Sequence, residues 1–117
     1  MRVIAKAAVV QAMESHSQWK VPLSLWLVTF DKASLRFESF DQIRQTWAAA
    51  SGWNVDRVPC SKLRPASQKG PLGIYIFDIK KNECRIVSWI NPRSGTIFIK
   101  DILSHAAYDK WCKSDVK

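Results

Sequence analysis

Leu72-Gly73-Ile74-Tyr75-Ile76-Phe77-Asp78-Ile79, Cys84-Arg85-Ile86-Val87-Ser88-Trp89-Ile90 and Thr96-Ile97-Phe98-Ile99-Lys100-Asp101-Ile102-Leu103 are runs of strand length rich in Ile, Val and aromatic residues. Short polar links separate them, and that combination reads as β-structure. The first link, Lys80-Lys81-Asn82-Glu83, has hairpin length, and Asn82 is the residue there that tolerates a left-handed backbone. In the second, Asn91-Pro92-Arg93-Ser94-Gly95, Pro92 suits a type I turn and Gly95 the position that needs positive φ. Three consecutive antiparallel strands are therefore predicted over 72–79, 84–90 and 96–103.

Upstream the period changes. Residues 2–5 form a short opening strand, and 7–13 are helix formers by propensity. From Val21 to Leu35 the residues Leu23, Trp26, Leu27 and Phe30 fall on one face of an amphipathic helix. A further helix opens at Ser39 or Asp41, carries Ile43 and Trp47 and stops at Gly52. Trp53 to Ser61 alternates in places, and Pro65 to Gly73 reads as loop. A short helix closes the chain from Ser104 or His105, with Ala107, Tyr108 and Trp111 facing inward or beside a site. The expectation is an α+β fold, with N-terminal helices packed on a small twisted antiparallel β-sheet and a short C-terminal helix, and residues 1–117 as a single domain.

A hydrophobic fraction of 47% and a charged fraction of 24% are those of a globular chain and exclude intrinsic disorder. The net charge of +8 is distributed unevenly: residues 1–56 carry 6 basic and 5 acidic side chains, residues 57–117 carry 12 and 5. A basic excess of +7 confined to the β-rich half points to a polyanion, set against the plainer reading of lysines that keep a surface soluble. Cys60, Cys84 and Cys112 are far apart and show neither a disulfide framework nor zinc spacing, so they read as free thiols in a reducing cytoplasm. Leu23 to Phe30, the longest apolar stretch, is too short to span a bilayer. No cofactor and no metal site is expected.

Alternation places Arg85, Val87, Trp89 and Asn91 on one side of their strand, and assigns Ile97, Ile99 and Leu103 to one face of the next, with Phe98, Lys100 and Ile102 on the other. Arg85 and Lys100 then share a face of neighbouring strands. Adjacent cations repel unless an anion lies between them. A phosphate fits, and so does the alternative in which each pairs with a carboxylate such as Asp78 or Asp109. Next comes Ser104-His105-Ala106-Ala107-Tyr108-Asp109, which offers a titratable imidazole, an aromatic able to stack on a base, and a carboxylate able to orient the imidazole. A structural role for His105 stands beside the catalytic one. His16 reads as a surface residue without partners. RNA brings its own nucleophile in the 2′-hydroxyl, so cleavage needs only in-line alignment, cations for the phosphorane and a path for protons. These residues by themselves describe a basic α+β domain that binds nucleic acid.

Met1-Arg2-Val3-Ile4-Ala5-Lys6, Phe77-Asp78-Ile79-Lys80-Lys81-Asn82-Glu83-Cys84-Arg85-Ile86-Val87 and Ile99-Lys100-Asp101-Ile102-Leu103-Ser104-His105-Ala106-Ala107-Tyr108-Asp109-Lys110 resemble, in order and spacing, the HigB toxins of the RelE-like superfamily. The resemblance implies a RelE-like fold and a messenger RNA interferase: a metal-free endoribonuclease that works in the cytoplasm on the translating ribosome and so blocks translation. It implies a HigA-type helix-turn-helix antitoxin as partner, no membrane, and a toxin that is itself monomeric. His105, Arg85, Lys100, Tyr108 and Asp109 match the catalytic pattern, and Lys80, Lys81, Asn82, Lys62 and Arg64 are expected to bind RNA. Lys81 stands where the family commonly has Gly, Cys84 where it often has an aromatic and Ser88 where it is often basic, while the segment from Ala48 to Gly70 is longer than usual. The alternative is a translational regulator that grips RNA without cutting it.

Overall fold

The computed structural model describes all 117 residues. Strand β1 (Arg2–Ile4) is followed by helices α1 (Lys6–Ser15), α2 (Lys20–Phe30) and α3 (Phe40–Ser51), strands β2 (Val55–Val58), β3 (Ile74–Ile79), β4 (Cys84–Asn91) and β5 (Thr96–Ser104), and helix α4 (His105–Asp115). The α+β class and the three predicted strands stand. The sheet is larger than predicted and mixed: its order is β1-β5-β4-β3-β2, with β1 parallel to β5 and every other pair antiparallel. The parallel pairing follows from the helices between β1 and β5, which bring the chain back to the edge of β5 by a crossover rather than by a hairpin.

Local chemistry accounts for the helix ends. Ser39 caps α3, its hydroxyl accepting from the Gln42 amide at 3.2 Å, while the Gln42 side chain accepts from the Glu38 amide at 2.8 Å. Gly52 closes the helix at φ 81°, a backbone that costs glycine little. Helix α2 ends at Phe30, short of the predicted Leu35, and the Asp31 carboxylate pairs with Lys6 at 2.6 Å instead of continuing the helix. Leu23, Trp26 and Phe30 line the buried face as expected.

The sheet is covered on both sides. On one side α1, α2 and α3 bury Trp26, Phe30 and Trp47 against Phe77, Ile79 and Ile86. On the other, α4 and the loop before β3 enclose a smaller apolar cluster of Leu63, Ile74, Ile76, Val87 and Trp111. Cys84 and Ser88 point to the helical side and are fully buried, Ser88 donating to the Tyr75 carbonyl at 3.0 Å. Two of the expected departures from the resembled pattern, Cys84 and Ser88, are thus core residues. Burial pushes the Cys84 thiol up to about 12, and all three cysteines are unpaired. No helix is long and apolar enough to cross a membrane.

Two backbone expectations are corrected. A β-bulge interrupts the β4–β5 register, which pairs Val87 with Asp101 and Ser88 with Ile99 and leaves Lys100 as the extra residue. Beyond it the alternation on β5 changes phase, so that Ile102 packs with the helical core and Leu103 with the α4 cluster, the reverse of the simple period-2 reading. In the β3–β4 turn the left-handed residues are Lys80 (φ 52°) and Lys81 (φ 62°), not Asn82.

Candidate RNA interface

Two clusters of polar and aromatic side chains lie on the α4 side of the sheet, one at each end of that helix. The first is built by the β3–β4 turn and the start of α4. Strand β5 runs directly into the helix, Ser104 caps it by accepting from the Ala107 amide at 3.2 Å, and the His105 amide donates to the Glu83 carbonyl at 3.1 Å, tying the helix to the turn. His105 and Asp109, one helical turn apart, approach at 3.7 Å (Nε2 to Oδ2) with more than half of each side chain exposed.

Arg85 stands between the turn and α4. Its Nε lies 2.9 Å from Asp78 Oδ1, an ion pair not aligned as a hydrogen bond, and one terminal nitrogen donates to the Asn82 carbonyl at 2.6 Å. The guanidinium carbon is 4.9 Å from the centre of the Tyr108 ring, which in turn stacks on Trp111 at 5.8 Å. Burial raises the Asp78 carboxyl above its ordinary range against the pull of Arg85. Burial, with the neighbouring Cys112 thiol, raises the Tyr108 hydroxyl, so Tyr108 is a neutral phenol at physiological pH. Lys80 pairs loosely with Glu83 at 3.6 Å and Lys81 is exposed at the tip of the turn.

The second cluster is at the far end of α4. Lys100 Nζ is 3.6 Å from Asp115 Oδ2 and 5.4 Å from the centre of the Trp89 ring. Burial alone would raise the Asp115 carboxyl, but the hydroxyls of Ser114 and Ser67 and the Lys100 ammonium outweigh it and hold the group below its usual range. Lys62 and Arg64 belong here, not with the turn, since the Arg64 amide donates to the Asp115 carbonyl and the Lys117 amide to that of Lys62.

The predicted sharing of a face by Arg85 and Lys100 is therefore right, but their juxtaposition is not. Each has a carboxylate partner, Asp78 or Asp115, and their backbone positions are offset by about 10 Å along the sheet. Three residues of β5, from Lys100 to the Leu103 opposite Arg85, span that distance, and so do the seven residues of α4 from Tyr108 to Asp115. Arg85, Tyr108, His105 and Asp109 gather with Lys80, Lys81 and Asn82; Lys100, Lys62 and Arg64 stand apart. Sequence reasoning missed Trp89, Phe98 and Asp115, and marked Lys69 only as one of the basic residues of the long segment before β3. The alternation that placed Trp89 beside Arg85, and Phe98 beside Lys100, held the signal for the two aromatics. His16, read as partnerless, stacks on Trp19 with ring centres 3.8 Å apart. It lines a groove of about 430 Å³ between α1 and the open edge of β5, which Lys100, Ser104 and Ala107 also line. No three His, Cys, Asp or Glu side chains converge as metal ligands would.

Residues 62–111 match the model of the HigB toxin family, described as the RelE-like toxic component of a toxin-antitoxin system. The match bears out the resemblance read from the sequence and takes in both clusters up to Trp111, leaving out the end of α4 with Cys112, Ser114 and Asp115. Among curated proteins none matches the chain.

Proposed function

We propose that this chain is the toxin of a toxin-antitoxin pair and cuts messenger RNA on the translating ribosome, with a HigA-type antitoxin as its neutralising partner. The observation that carries the reading is the coincidence of the family match over residues 62–111 with the grouping of Arg85, Tyr108, His105 and Asp109 at one end of α4. A toxin domain of this family with an exposed imidazole, a neutral phenol and an arginine in one cluster has the parts that 2′-hydroxyl chemistry needs.

In that reaction the 2′-hydroxyl attacks the adjacent phosphorus, its proton passes to a base, and the 5′-oxygen leaves with a proton, giving a 2′,3′-cyclic phosphate and a 5′-hydroxyl. His105 is assigned the proton transfer. Asp109 orients it, at a separation that a shift of about 1 Å would convert into a hydrogen bond. Arg85, fixed on two sides by Asp78 and the Asn82 carbonyl, stabilises the charge of the phosphorane, since a held cation needs no reorganisation as the reaction proceeds. Tyr108 stacks on a base or donates its phenolic proton. Lys80, Lys81 and Asn82 bind the backbone beside the cut. Lys100, whose backbone position is offset from that of Arg85 by about 10 Å along the sheet, holds a neighbouring phosphate rather than the scissile one.

The test is a cell-free translation reaction with an end-labelled message, with the parent chain against His105→Ala and with ribosomes present or withheld. Discrete cuts that require both His105 and ribosomes are expected, with a rate loss of about 10²- to 10⁴-fold in the variant. Blocked translation with an intact message would sink the nuclease reading in favour of a regulator that grips RNA without cutting it.

A further inference from the structure

Trp89 and Phe98 are direct cross-strand partners on β4 and β5, on the face that carries Arg85 and Lys100. Both are only partly buried, and Phe98 belongs to neither apolar cluster. Their rings are covered by cations. Lys69 Nζ lies 5.5 Å from the centre of the Trp89 ring and 5.1 Å from that of Phe98, and Lys100 Nζ lies 5.4 Å from Trp89. Lys69 comes from the segment before β3 that is longer than is usual in the family, and it is exposed. Neither Lys69 nor the two aromatics has a part in the cluster around Arg85.

Two partly exposed aromatic side chains side by side at the margin of the α4 cluster, with two ammonium groups beside them, are what unpaired bases and their phosphates bind to. The covering lysine does not block such a site. A solvent-exposed ammonium on a ring is worth about 2- to 5-fold in an equilibrium, whereas a base stacked on an aromatic is worth about 5- to 150-fold. A base displaces Lys69 from the rings, and the freed ammonium remains within reach of the phosphate that the base brings with it.

We propose that Trp89 and Phe98, flanked by Lys69 and Lys100, form a stacking platform for a base of single-stranded RNA, a subsite distinct from the Arg85, His105 and Tyr108 cluster. The proposal rests on the functional reading only in taking RNA as the ligand; it does not need the chain to cut. A strand bound at both ends of α4 is gripped at two places offset by about 10 Å along the sheet, which sets its direction across it.

The test uses the full chain and a short fluorescein-labelled 2′-O-methyl oligoribonucleotide, which lacks the attacking hydroxyl and reports binding alone. Phe98→Leu is expected to weaken binding about 5- to 150-fold with an unchanged salt slope, because it removes stacking and no charge. Phe98→Tyr restores affinity. Lys69→Gln lowers the slope of log affinity against log salt by about 0.7, one phosphate contact on a single strand. Thermal unfolding of each variant separates lost binding from lost structure. Should Phe98→Leu unfold, photo-crosslinking of an iodouridine probe to the parent chain replaces it, an adduct at Trp89 or Phe98 supporting the platform and adducts confined to other peptides refuting it. Affinity within twofold of the parent in folded Phe98→Leu, or no binding by the parent, overturns the platform and leaves these aromatics to a protein partner or to packing. Cleavage on ribosomes is read separately, so its absence with Phe98-dependent binding would remove the nuclease reading and keep this one.

Discussion

Replacing Arg85 with Leu removes a cation whose side chain is 12% exposed and leaves Asp78, 20% exposed, without its partner. Breaking a buried ion pair from one side costs about 3–5 kcal/mol. Residual exposure of both groups lowers this to about 2–3 kcal/mol, with the bond to the Asn82 carbonyl lost as well. At a urea dependence of about 1.5 kcal/mol per molar, the unfolding midpoint falls by about 1.5–2 M. The deficit depends on pH in a definite direction. Asp78 has a folded carboxyl raised by burial above its ordinary value, with Arg85 opposing that rise. A group with a raised folded pKa contributes stability that is present below its unfolded pKa and lost as pH rises through the folded one. Without Arg85 the carboxyl moves further up and is left as an unpartnered buried charge at neutral pH. The penalty of Arg85→Leu is therefore expected to be small in acid and to grow toward neutrality. In Arg85→Leu with Asp78→Leu the penalties should fall short of their sum by about 1–3 kcal/mol. Urea unfolding from mild acid to neutral pH measures all of this. A deficit that is flat with pH, or penalties that simply add, would refute an Arg85–Asp78 pair that holds the site together.

His105→Ala removes a mostly exposed side chain with one exposed partner, so its stability should stay within about 0.5 kcal/mol of the parent by thermal unfolding; a larger loss would give the imidazole a structural role. Asp115→Asn is expected to lower stability at neutral pH by about 1–2 kcal/mol, as judged by urea midpoints. The folded carboxyl is depressed, so its contribution is present above the unfolded pKa and lost as pH falls through the folded one, and the variant and parent should converge in acid. Lys81→Gly relieves a left-handed backbone at φ 62° and should stabilise the chain by about 1 kcal/mol. Calorimetry that shows no gain would mean the turn is held by more than its local backbone preference.

The strands β3, β4 and β5, the faces of α2 and α3 and the start of α4 were legible in the sequence because each is a local pattern: period 2, period 3.6, or a capping hydroxyl. The charge asymmetry was legible by counting, and the cluster of Arg85, Tyr108, His105 and Asp109 follows from one hairpin and the helix that continues from its neighbouring strand. Lys81 illustrates a partial reading. The family glycine marked the position, but only the backbone puts Lys80 and Lys81, not Asn82, at positive φ.

Other features arise from contacts between distant segments. The sequence carries no local mark of β1 lying parallel to β5, because that pairing is chosen when α1, α2 and α3 pack on one side of the sheet. Nor does it mark the bulge at Lys100, an extra residue with no partner in the β4–β5 register. The partners of the two cations were decided by tertiary structure as well. Strand pairing brings Asp78 opposite Arg85, and the fold-back of α4 brings Asp115 to Lys100. Composition and short-range periodicity determined that this chain would be a basic α+β protein with its charge in the strand-rich half. Which charges would face each other, and that Lys69 would lie over Trp89 and Phe98, was settled by packing, because Coulomb and stacking energies depend on distances in space that sequence separation does not encode.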